Sequence, residues 1–174
     1  MLDGEHVTLR LARESDFEAL YAGLNTLDNR GPYFPRNPHP ESWLRKKFES
    51  GGFWAADEGL LVMVDTEGAV IGHIEFFKPV AYLDGFELSY LVYDLAARGK
   101  GVTSEAVALL TAFLFATTKT NRIQLIIHPD NAASRRVAEK NGYRHEGTMR
   151  GAWYNDAAYH DVTVYAVLRH EHEG

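Results

Sequence analysis

The spacing of apolar and polar positions alternates along the chain between the period typical of a helix and the period typical of a strand. Apolar side chains three and four residues apart predict an amphipathic helix over 15–25, directly after an alternating strand over 6–11. The same reading predicts helices at 41–50, 104–117 and 132–141, and strands at 60–65, 70–78, 86–93, 122–127, 143–150 and 160–169. These elements define an α/β (α+β) fold, with a mixed, mostly antiparallel sheet of about seven strands flanked by helices.

The predicted strand at 86–93 has two unlike faces. Its apolar residues on one face are Phe86, Leu88, Tyr90 and Val92. Glu87 and Ser89 alternate with them, and successive side chains of a strand point to opposite faces of the sheet. One face is therefore predicted to enter the core, and the other to carry a carboxylate and a hydroxyl.

Two segments are predicted to carry substrate specificity. Residues 28–40 hold four of the six prolines among aromatic and basic side chains, which predicts a long irregular loop, and the second segment is a hairpin at 151–160. Long loops often carry function. Their candidate cleft-wall residues are Tyr33, Phe34, Arg36, Trp153, Tyr154 and Tyr159. Aromatic rings are equally good core residues, so the prediction concerns the two segments rather than each ring.

Length, composition and charge narrow the class of protein. The 174 residues fit a single domain spanning 1–174. The net charge is −6 and no basic run is present, which argues against nucleic-acid binding. No apolar run reaches membrane-spanning length, no signal-peptide pattern opens the chain, and cysteine is absent, so we expect a cytoplasmic protein without membrane contact. The acidic balance favours a cationic partner.

The segment DLAARGKGVTSEAVALL, residues 94–110, places two glycines and two cations at the start of an apolar helix. Gly99 and Gly101 allow a sharp turn, and the free N–H groups of the helix start favour an anion such as phosphate. Arg98 and Lys100 add positive charge. The nucleotide-binding patterns GxGxxG and GxxxxGK[ST] are both incomplete here, so ATP and dinucleotides are not favoured. A plain helix-initiating turn with solvated cations is the alternative.

The sequence RGKGVT, from Arg98 to Thr103, resembles the loop that holds the pyrophosphate of acetyl-CoA in GNAT N-acetyltransferases. Thr103 stands where that family usually has Gly or Ala. Three longer segments are similar to the RimJ/RimL-like branch of the family: VTLRLARESDFEALY, FELSYLVYDLAARGKGVTSEAV and NAASRRVAEKNGYRHEGTMRGAWYNDAAYHDVTVYAVL. The resemblance covers nearly the whole chain. It implies a GNAT-like sheet in which a splayed pair of strands binds acetyl-CoA.

The resemblance also implies which residues hold the cofactor. The expected pyrophosphate loop comprises Arg98, Gly99, Lys100, Gly101, Val102 and Thr103. Backbone groups of Leu91, Val92 and Tyr93 are expected to pair with the pantetheine arm and to polarise the thioester carbonyl. In the family pattern Asn131 contacts pantetheine, and Ser134 is placed to protonate the departing thiolate. Spacing alone favours Asn131 as the N-cap of the helix that follows it, and both roles are compatible.

The sequence leaves open the base that removes a proton from the amine. Glu87 lies on the non-core face of the strand that delivers the thioester, and Glu75 on the neighbouring strand is the alternative. Either carboxylate could instead be solvated or ion-paired. His128 is a third candidate, because histidine changes charge near neutral pH, although a lone histidine is more often structural. If the amine is already neutral, no base is needed and the enzyme has only to position it.

Two further features favour ordinary structural roles. His170 and His172 have a metal-like spacing, but no third ligand is in view near this terminus, so no metal is expected. Glu105, just after the glycine loop, is expected on the helix surface or as a cap partner.

Together, these patterns and the resemblance predict an acetyl-CoA-dependent N-acetyltransferase acting on a primary amine. The expected acceptor is a protein N-terminus or an amino-bearing small molecule such as a metabolite or antibiotic, and similar proteins are often homodimers. The alternative is a non-catalytic acyl-CoA-binding or sensing module with the same loop but no proton path. A longer acyl-CoA also stays open, because the sequence does not give the pocket size near Leu91.

Overall fold

The computed structural model describes residues 1–172. Its helices are α1 (Phe17–Asn25), α2 (Leu27–Arg30), α3 (Glu41–Glu49), α4 (Val102–Thr117), α5 (Ala132–Lys140) and α6 (Arg169–His172). Its strands are β1 (Leu2–Asp3), β2 (Thr8–Leu11), β3 (Glu58–Val64), β4 (Val70–Phe77), β5 (Phe86–Val92), β6 (Arg122–Ile127), β7 (Arg144–Asn155) and β8 (Ala158–Leu168). They form one sheet in the order β1-β2-β3-β4-β5-β6-β8-β7.

This architecture confirms the predicted mixed, mostly antiparallel sheet. Among the described strands, β5 and β6 are the parallel pair, and α4 connects them. The sheet has eight strands rather than about seven, because β1 pairs with β2. A two-residue strand is too short to show alternation, so periodicity does not reveal it. The short helix α2 lies at the start of the loop that was predicted to be irregular.

Helices cover both faces of the sheet, and this arrangement buries most of its strands. On one face α4 contributes four side chains with no exposed surface: Ala106, Val107, Leu110 and Leu114. On the other face Leu20 of α1 packs with Leu60, Val62 and Val64 of β3. α3 joins α1 through a small cluster of Phe17, Leu24 and Leu44. The sheet is therefore the middle layer, and the backbone of its inner strands is open to a ligand where two strands separate.

The start of α4 is tied to the N-terminal segment by Glu105. Its carboxylate oxygens accept hydrogen bonds from the backbone N–H groups of Glu5 at 2.5 Å and His6 at 2.8 Å. Glu105 is therefore a partner for backbone groups distant in sequence rather than a freely solvated side chain. The contact holds the helix that follows the glycine loop against the strand layer.

The closing hairpin is longer than predicted. The strands were expected at 143–150 and 160–169, but β7 and β8 run to a two-residue turn at Asp156 and Ala157. These residues have φ of 48° and 60°, a region that favours glycine and asparagine. The hairpin itself was predicted at 151–160, but with no glycine at either turn position the sequence did not show how far the two strands extend.

Candidate active site

The parallel strands β5 and β6 separate soon after they meet. Their ladder holds two pairs, Phe86 with Ile123 and Glu87 with Gln124, although both strands continue beyond it. The backbone groups on this edge of β5 are consequently unpaired with β6 up to Val92. This separation is the splay that the family resemblance implied.

A cleft of about 1220 Å³ passes through the splay and reaches both faces of the sheet. The predicted site residues in its wall are Glu75, Glu87, Leu91, Val92, Arg98, Gly99, Gly101, Thr103, His128, Asn131 and Ser134. The structure therefore brings together residues from four separate segments of the chain. Three other predicted cofactor residues, Tyr93, Lys100 and Val102, lie outside the wall. The side chain of Val102 is buried in the core, so only backbone groups of this residue could meet a ligand.

The glycine loop has the geometry of an anion site. Gly99 and Gly101 have φ of 78° and 88°, in the left-handed region that other residues rarely adopt. A Cβ on Gly99 would meet no atom within 4 Å, and one on Gly101 would meet only the His6 ring, at 3.7 Å. The surface over the loop is therefore open. The first N–H groups of α4 lack intrahelical acceptors, so this opening suits the diphosphate of a coenzyme.

Arg98 holds the protein's own backbone. Its Nη2 and Nε donate to the carbonyl oxygen of Val92 at 2.7 and 3.2 Å, and Nη2 also donates to the carbonyl of Asn29. Burial lowers the pKa of Arg98, but a guanidinium remains charged in proteins. Arg98 thus fixes the end of β5 next to the long loop, and its charge lies beside the cleft. Arg98 and Lys100 are both exposed.

Asn131 caps α5, as its spacing predicted. Its Oδ1 accepts a hydrogen bond from the backbone N–H of Ser134 at 3.1 Å. Ser134 lies beside Tyr90, whose hydroxyl is buried and has no hydrogen-bond partner within residues 1–172. Burial raises the pKa of Tyr90 to about 12. The nearby Ser134 side chain lowers this pKa, but its effect is smaller than that of burial. Tyr90 therefore keeps its proton at neutral pH.

Both candidate carboxylates lie in the cleft wall on the face opposite α4. Burial raises the pKa of Glu87, and a hydrogen bond from Gln124 Nε2 to Glu87 Oε2, at 2.9 Å, acts against this effect. Burial also raises the pKa of Glu75, with a smaller opposing contribution from Ser89. Neither carboxylate is freely solvated. Each can exchange a proton nearer neutral pH than an exposed glutamate does.

His128 belongs to a cluster of rings rather than standing alone. Its ring stacks on Tyr33 at 4.9 Å between centroids and lies 5.9 Å from Trp153. Its Nε2 is 3.4 Å from His160 Nδ1, and its Nδ1 accepts a hydrogen bond from the Asp130 backbone at 3.1 Å. Both nitrogens thus have protein partners. These contacts favour the structural role that was the alternative for His128.

The predicted specificity segments meet at the mouth of the cleft. Tyr33, Phe34 and Trp153 line the cleft, but Arg36, Tyr154 and Tyr159 do not. Arg36 forms an ion pair with Asp156 at 3.2 Å. Tyr154 and Tyr159 pack on each other near the exposed hairpin tip, with ring centroids 5.0 Å apart. The latter three residues therefore shape the loop and hairpin rather than the cleft wall.

Sequence patterns missed several residues of the cleft wall. Tyr90 was placed on the core face by alternation, which is correct, but its hydroxyl reaches the cleft side of that core. His39, Trp43 and Trp54 also line the cleft. No motif marks them, because their positions depend on how α3 and the following turn pack over β4.

Neither a metal-binding cluster nor a membrane-spanning helix is found within residues 1–172. Within residues 1–172, no group of three His, Asp or Glu side chains could hold a metal ion. His170 and His172 lie on α6, where the His172 ring packs near Phe115. No helix in this part of the chain has the length and apolar character needed to cross a membrane.

Comparisons with known proteins agree with this geometry. A family model described as an acetyltransferase (GNAT) domain matches residues 6–144. The putative ribosomal N-acetyltransferase YdaF of Bacillus subtilis is 27% identical, over 98% of this chain and 95% of YdaF. Spermidine N-acetyltransferase of Vibrio cholerae, solved with CoA and spermine, has a TM-score of 0.84 at 18% identity, covering 98% and 100% of the two chains. RimL, a ribosomal alpha-N-protein acetyltransferase solved with coenzyme A, has a TM-score of 0.78 at 22% identity, covering 95% of each chain.

The family match spans most of the sequence, so the chain belongs to the GNAT acetyltransferase family. It is an N-acetyltransferase that takes its acetyl group from acetyl-CoA, and its relatives include the RimJ/RimL-like enzymes. The predicted family, fold and activity are thereby confirmed.

Proposed function

We propose that this enzyme acetylates a cationic primary amine, with Glu87 as the base and Ser134 as the proton donor. The observation that carries the proposal is the splay of β5 and β6, which opens one cleft between these two side chains. Glu87 lies on the sheet face covered by α1 and α3, and Ser134 on the face covered by α4 and α5. A thioester held in the splay would lie between them.

The donor side of the cleft fits acetyl-CoA. The loop Gly99–Gly101 and the first amides of α4 would hold the diphosphate, and unpaired backbone groups of Leu91 and Val92 would meet the pantetheine arm. Asn131 would bind the same arm while still capping α5. The bound molecule supplies an activated acetyl group as a thioester. Donor binding thus depends mainly on backbone groups, which suits a site open over both glycines.

The acceptor side carries negative charge and aromatic surface. Glu75 and Glu87 lie in the wall, and Tyr33 and Trp153 line the mouth. Carboxylates and aromatic faces both attract an ammonium group. YdaF is named for ribosomal substrates and the Vibrio cholerae enzyme for spermidine, and both substrate types present amines. We therefore propose a protein N-terminus or a cationic small amine as the acceptor.

In the proposed chemistry, each group has one task. Glu87 accepts a proton from the ammonium form of the acceptor, which frees the nitrogen lone pair to attack. Backbone N–H groups at the end of β5 stabilise the negative charge on the thioester oxygen. Ser134 donates its hydroxyl proton to the leaving sulfur and recovers one from solvent. The carbon–nitrogen bond forms first, the attached nitrogen then loses its second proton to solvent, and the carbon–sulfur bond breaks as Ser134 protonates the sulfur.

A panel of amines tests this function. Release of free CoA from acetyl-CoA is expected with spermidine or with a short peptide that has a free N-terminus, and not with the same compounds after their amines are acetylated. The acetylated compounds keep the remaining shape of the acceptors and so serve as matched controls. If no amine in either class accelerates CoA release while acetyl-CoA still binds, the proposed acceptor class is wrong.

Several finer expectations remain proposals. They are a single catalytic domain over 1–174, a cytoplasmic location and a homodimer. Acyl chain length belongs with them, and a donor series from acetyl-CoA to longer acyl-CoA would measure it.

A further inference from the structure

A polar network lies behind Glu87, on the strands beside the cleft. Gln124 is the parallel partner of Glu87 at the last rung before β5 and β6 separate. Its Nε2 donates to Glu87 Oε2 at 2.9 Å. The hydrogen bond thus joins the candidate base to the neighbouring strand at the point where the cleft opens.

Gln124 is itself held by Arg122, which lies two residues earlier on the same face of β6. Arg122 Nη2 donates to Gln124 Oε1 at 3.3 Å. Both terminal nitrogens of Arg122 also donate to Glu146, at 2.7 Å from Nη1 to Oε1 and 2.6 Å from Nη2 to Oε2. This pairing lowers the pKa of Glu146 and raises that of Arg122, so both partners are charged.

A β-bulge in β7 brings Glu146 within reach of Arg122. His145 pairs with Tyr165 and Gly147 with Val164, which leaves Glu146 as the extra residue without a partner in β8. Bulges turn a side chain away from its regular direction. The strand between the two, β8, carries the small residue Ala166 opposite Gln124. The long side chains can therefore meet above β8.

The network fixes which end of the Gln124 amide faces Glu87. A guanidinium group only donates hydrogen bonds, so Arg122 requires the amide oxygen on its side. The amide NH₂ group must then point to Glu87. A flipped amide would place NH₂ against the guanidinium and oxygen against the carboxylate, and both contacts would repel. Gln124 can consequently only donate to Glu87, and a donor stabilises the ionised form of a carboxylate.

We propose that Gln124 is a positioning residue that, held by Arg122 and Glu146, keeps Glu87 as a proton-accepting carboxylate and aims its free oxygen at the acceptor amine. Glu87 Oε1 has no hydrogen-bond partner among residues 1–172 and is available for this contact. The inference rests on the proposed function, in which Glu87 is the base. It adds three residues that the family resemblance did not assign.

Other charged groups near Glu87 do not replace this contact. On β4, Glu75 is the neighbouring carboxyl, and Glu87 itself raises the pKa of Glu75. Lys47 of α3 and Glu58 of β3 act on Glu75 in opposite directions. Burial raises the pKa of Glu87, and the bond from Gln124 is the contact that opposes it. Removing that bond should therefore move the titration of Glu87 to higher pH.

The titration of Glu87 is the direct test and needs no turnover. Its side-chain carboxyl would be followed by NMR in the full-length protein and in Gln124→Met, which keeps the length of the side chain without the donor. The Glu87 midpoint is expected to move to higher pH in Gln124→Met, and less far in the same direction in Arg122→Met. Glu146→Gln is a milder surface change that tests the same chain of contacts. An unchanged midpoint in Gln124→Met would overturn the proposal.

A matched control comes from β7, the strand that carries Glu146. Arg144 pairs with Glu171 at 2.7 Å, without a link to Glu87. Arg144→Met removes an arginine–carboxylate pair as Arg122→Met does, so it reports any general effect on the strands. The Glu87 midpoint should not move in this variant. A shift equal to that of Arg122→Met would show that the network has no specific role.

Kinetics separate this proposal from the function on which it rests. In Gln124→Met, the loss of one charge-assisted hydrogen bond should lower kcat/KM at the acid end by about tenfold or more, with the KM for acetyl-CoA unchanged. If the Glu87 midpoint moves in Gln124→Met but Glu87→Gln keeps full activity, the effect of Gln124 on Glu87 is supported and the assignment of Glu87 as the base is wrong. If Glu87→Gln is inactive but the Glu87 midpoint does not move in Gln124→Met, Glu87 is supported as the base and the proposed role of Gln124 is wrong.

Discussion

Replacing Glu87 by glutamine is expected to lower kcat/KM by about 10²- to 10⁴-fold while leaving the dissociation constant for acetyl-CoA unchanged. Glutamine has the shape of glutamate but does not accept a proton at neutral pH. The donor side of the cleft does not use the Glu87 side chain, so donor binding should be preserved. Steady-state kinetics with a saturating amine and calorimetric titration of acetyl-CoA would measure the two quantities.

The matched control for this substitution is Glu75→Gln. Glu75 lies in the same cleft wall and has a pKa raised by the same cause, burial. If Glu87 is the base, Glu75→Gln should cost much less activity than Glu87→Gln. The reverse order of losses would make Glu75 the base, and full activity in both variants would leave positioning of a neutral amine as the mechanism.

The pH dependence has a defined sign. The base acts as a carboxylate, so kcat/KM should have its full value at pH values above the Glu87 pKa. It should fall as the pH drops through that pKa. Because burial raises that pKa, the fall should begin at higher pH than for an exposed glutamate. The same fall should be absent from the residual activity of Glu87→Gln.

Adding one methyl group at Gly72 is expected to destabilise the fold by about 1–3 kcal/mol and to weaken acetyl-CoA binding. Gly72 pairs with Val92 across β4 and β5. A Cβ there would lie 2.5 Å from the carbonyl oxygen of Leu91 and 3.1 Å from the Cα of Val92. Both are backbone atoms that cannot rotate away, so the end of β5 must shift. That end supplies the backbone groups proposed to meet pantetheine.

Gly147→Ala is the matched control, since Gly147 also lies in a strand. A Cβ on Gly147 would meet no atom within 4 Å, and its φ lies outside the left-handed region. Alanine should therefore be neutral or slightly stabilising there. Urea unfolding and acetyl-CoA titration of the two variants give the comparison. Equal stability of Gly72→Ala and Gly147→Ala would contradict a close-packed strand end.

Periodicity and glycine placement revealed most of the fold and the donor side of the site. The alternation in β5 separated Glu87 from the core, and the stripe of α4 identified its buried face. Gly99 and Gly101 marked the start of that helix because their φ values are unfavourable for other residues. These features depend on local geometry, which a sequence displays directly.

The features that the sequence did not reveal depend on contacts between distant segments. Arg98 was expected at the phosphate loop, but nothing local indicates that it binds the carbonyl oxygen of Asn29. The link from Glu146 to Gln124 requires a bulge and the register of three strands. The loop and the hairpin at the acceptor side were each predicted from the sequence, but they lie more than a hundred residues apart, so no motif indicated that they meet.

Thermal unfolding with acetyl-CoA, and with ATP and NADH as controls, tests the central claim most directly. At 100 times its dissociation constant, a ligand adds about 2.7 kcal/mol to stability, or roughly 5 to 10 °C in Tm for a chain of this size. We expect that shift with acetyl-CoA alone, because the glycine loop and the splayed strands fit its diphosphate and pantetheine. No shift with acetyl-CoA, or an equal shift with ATP, would contradict the assignment of this cleft.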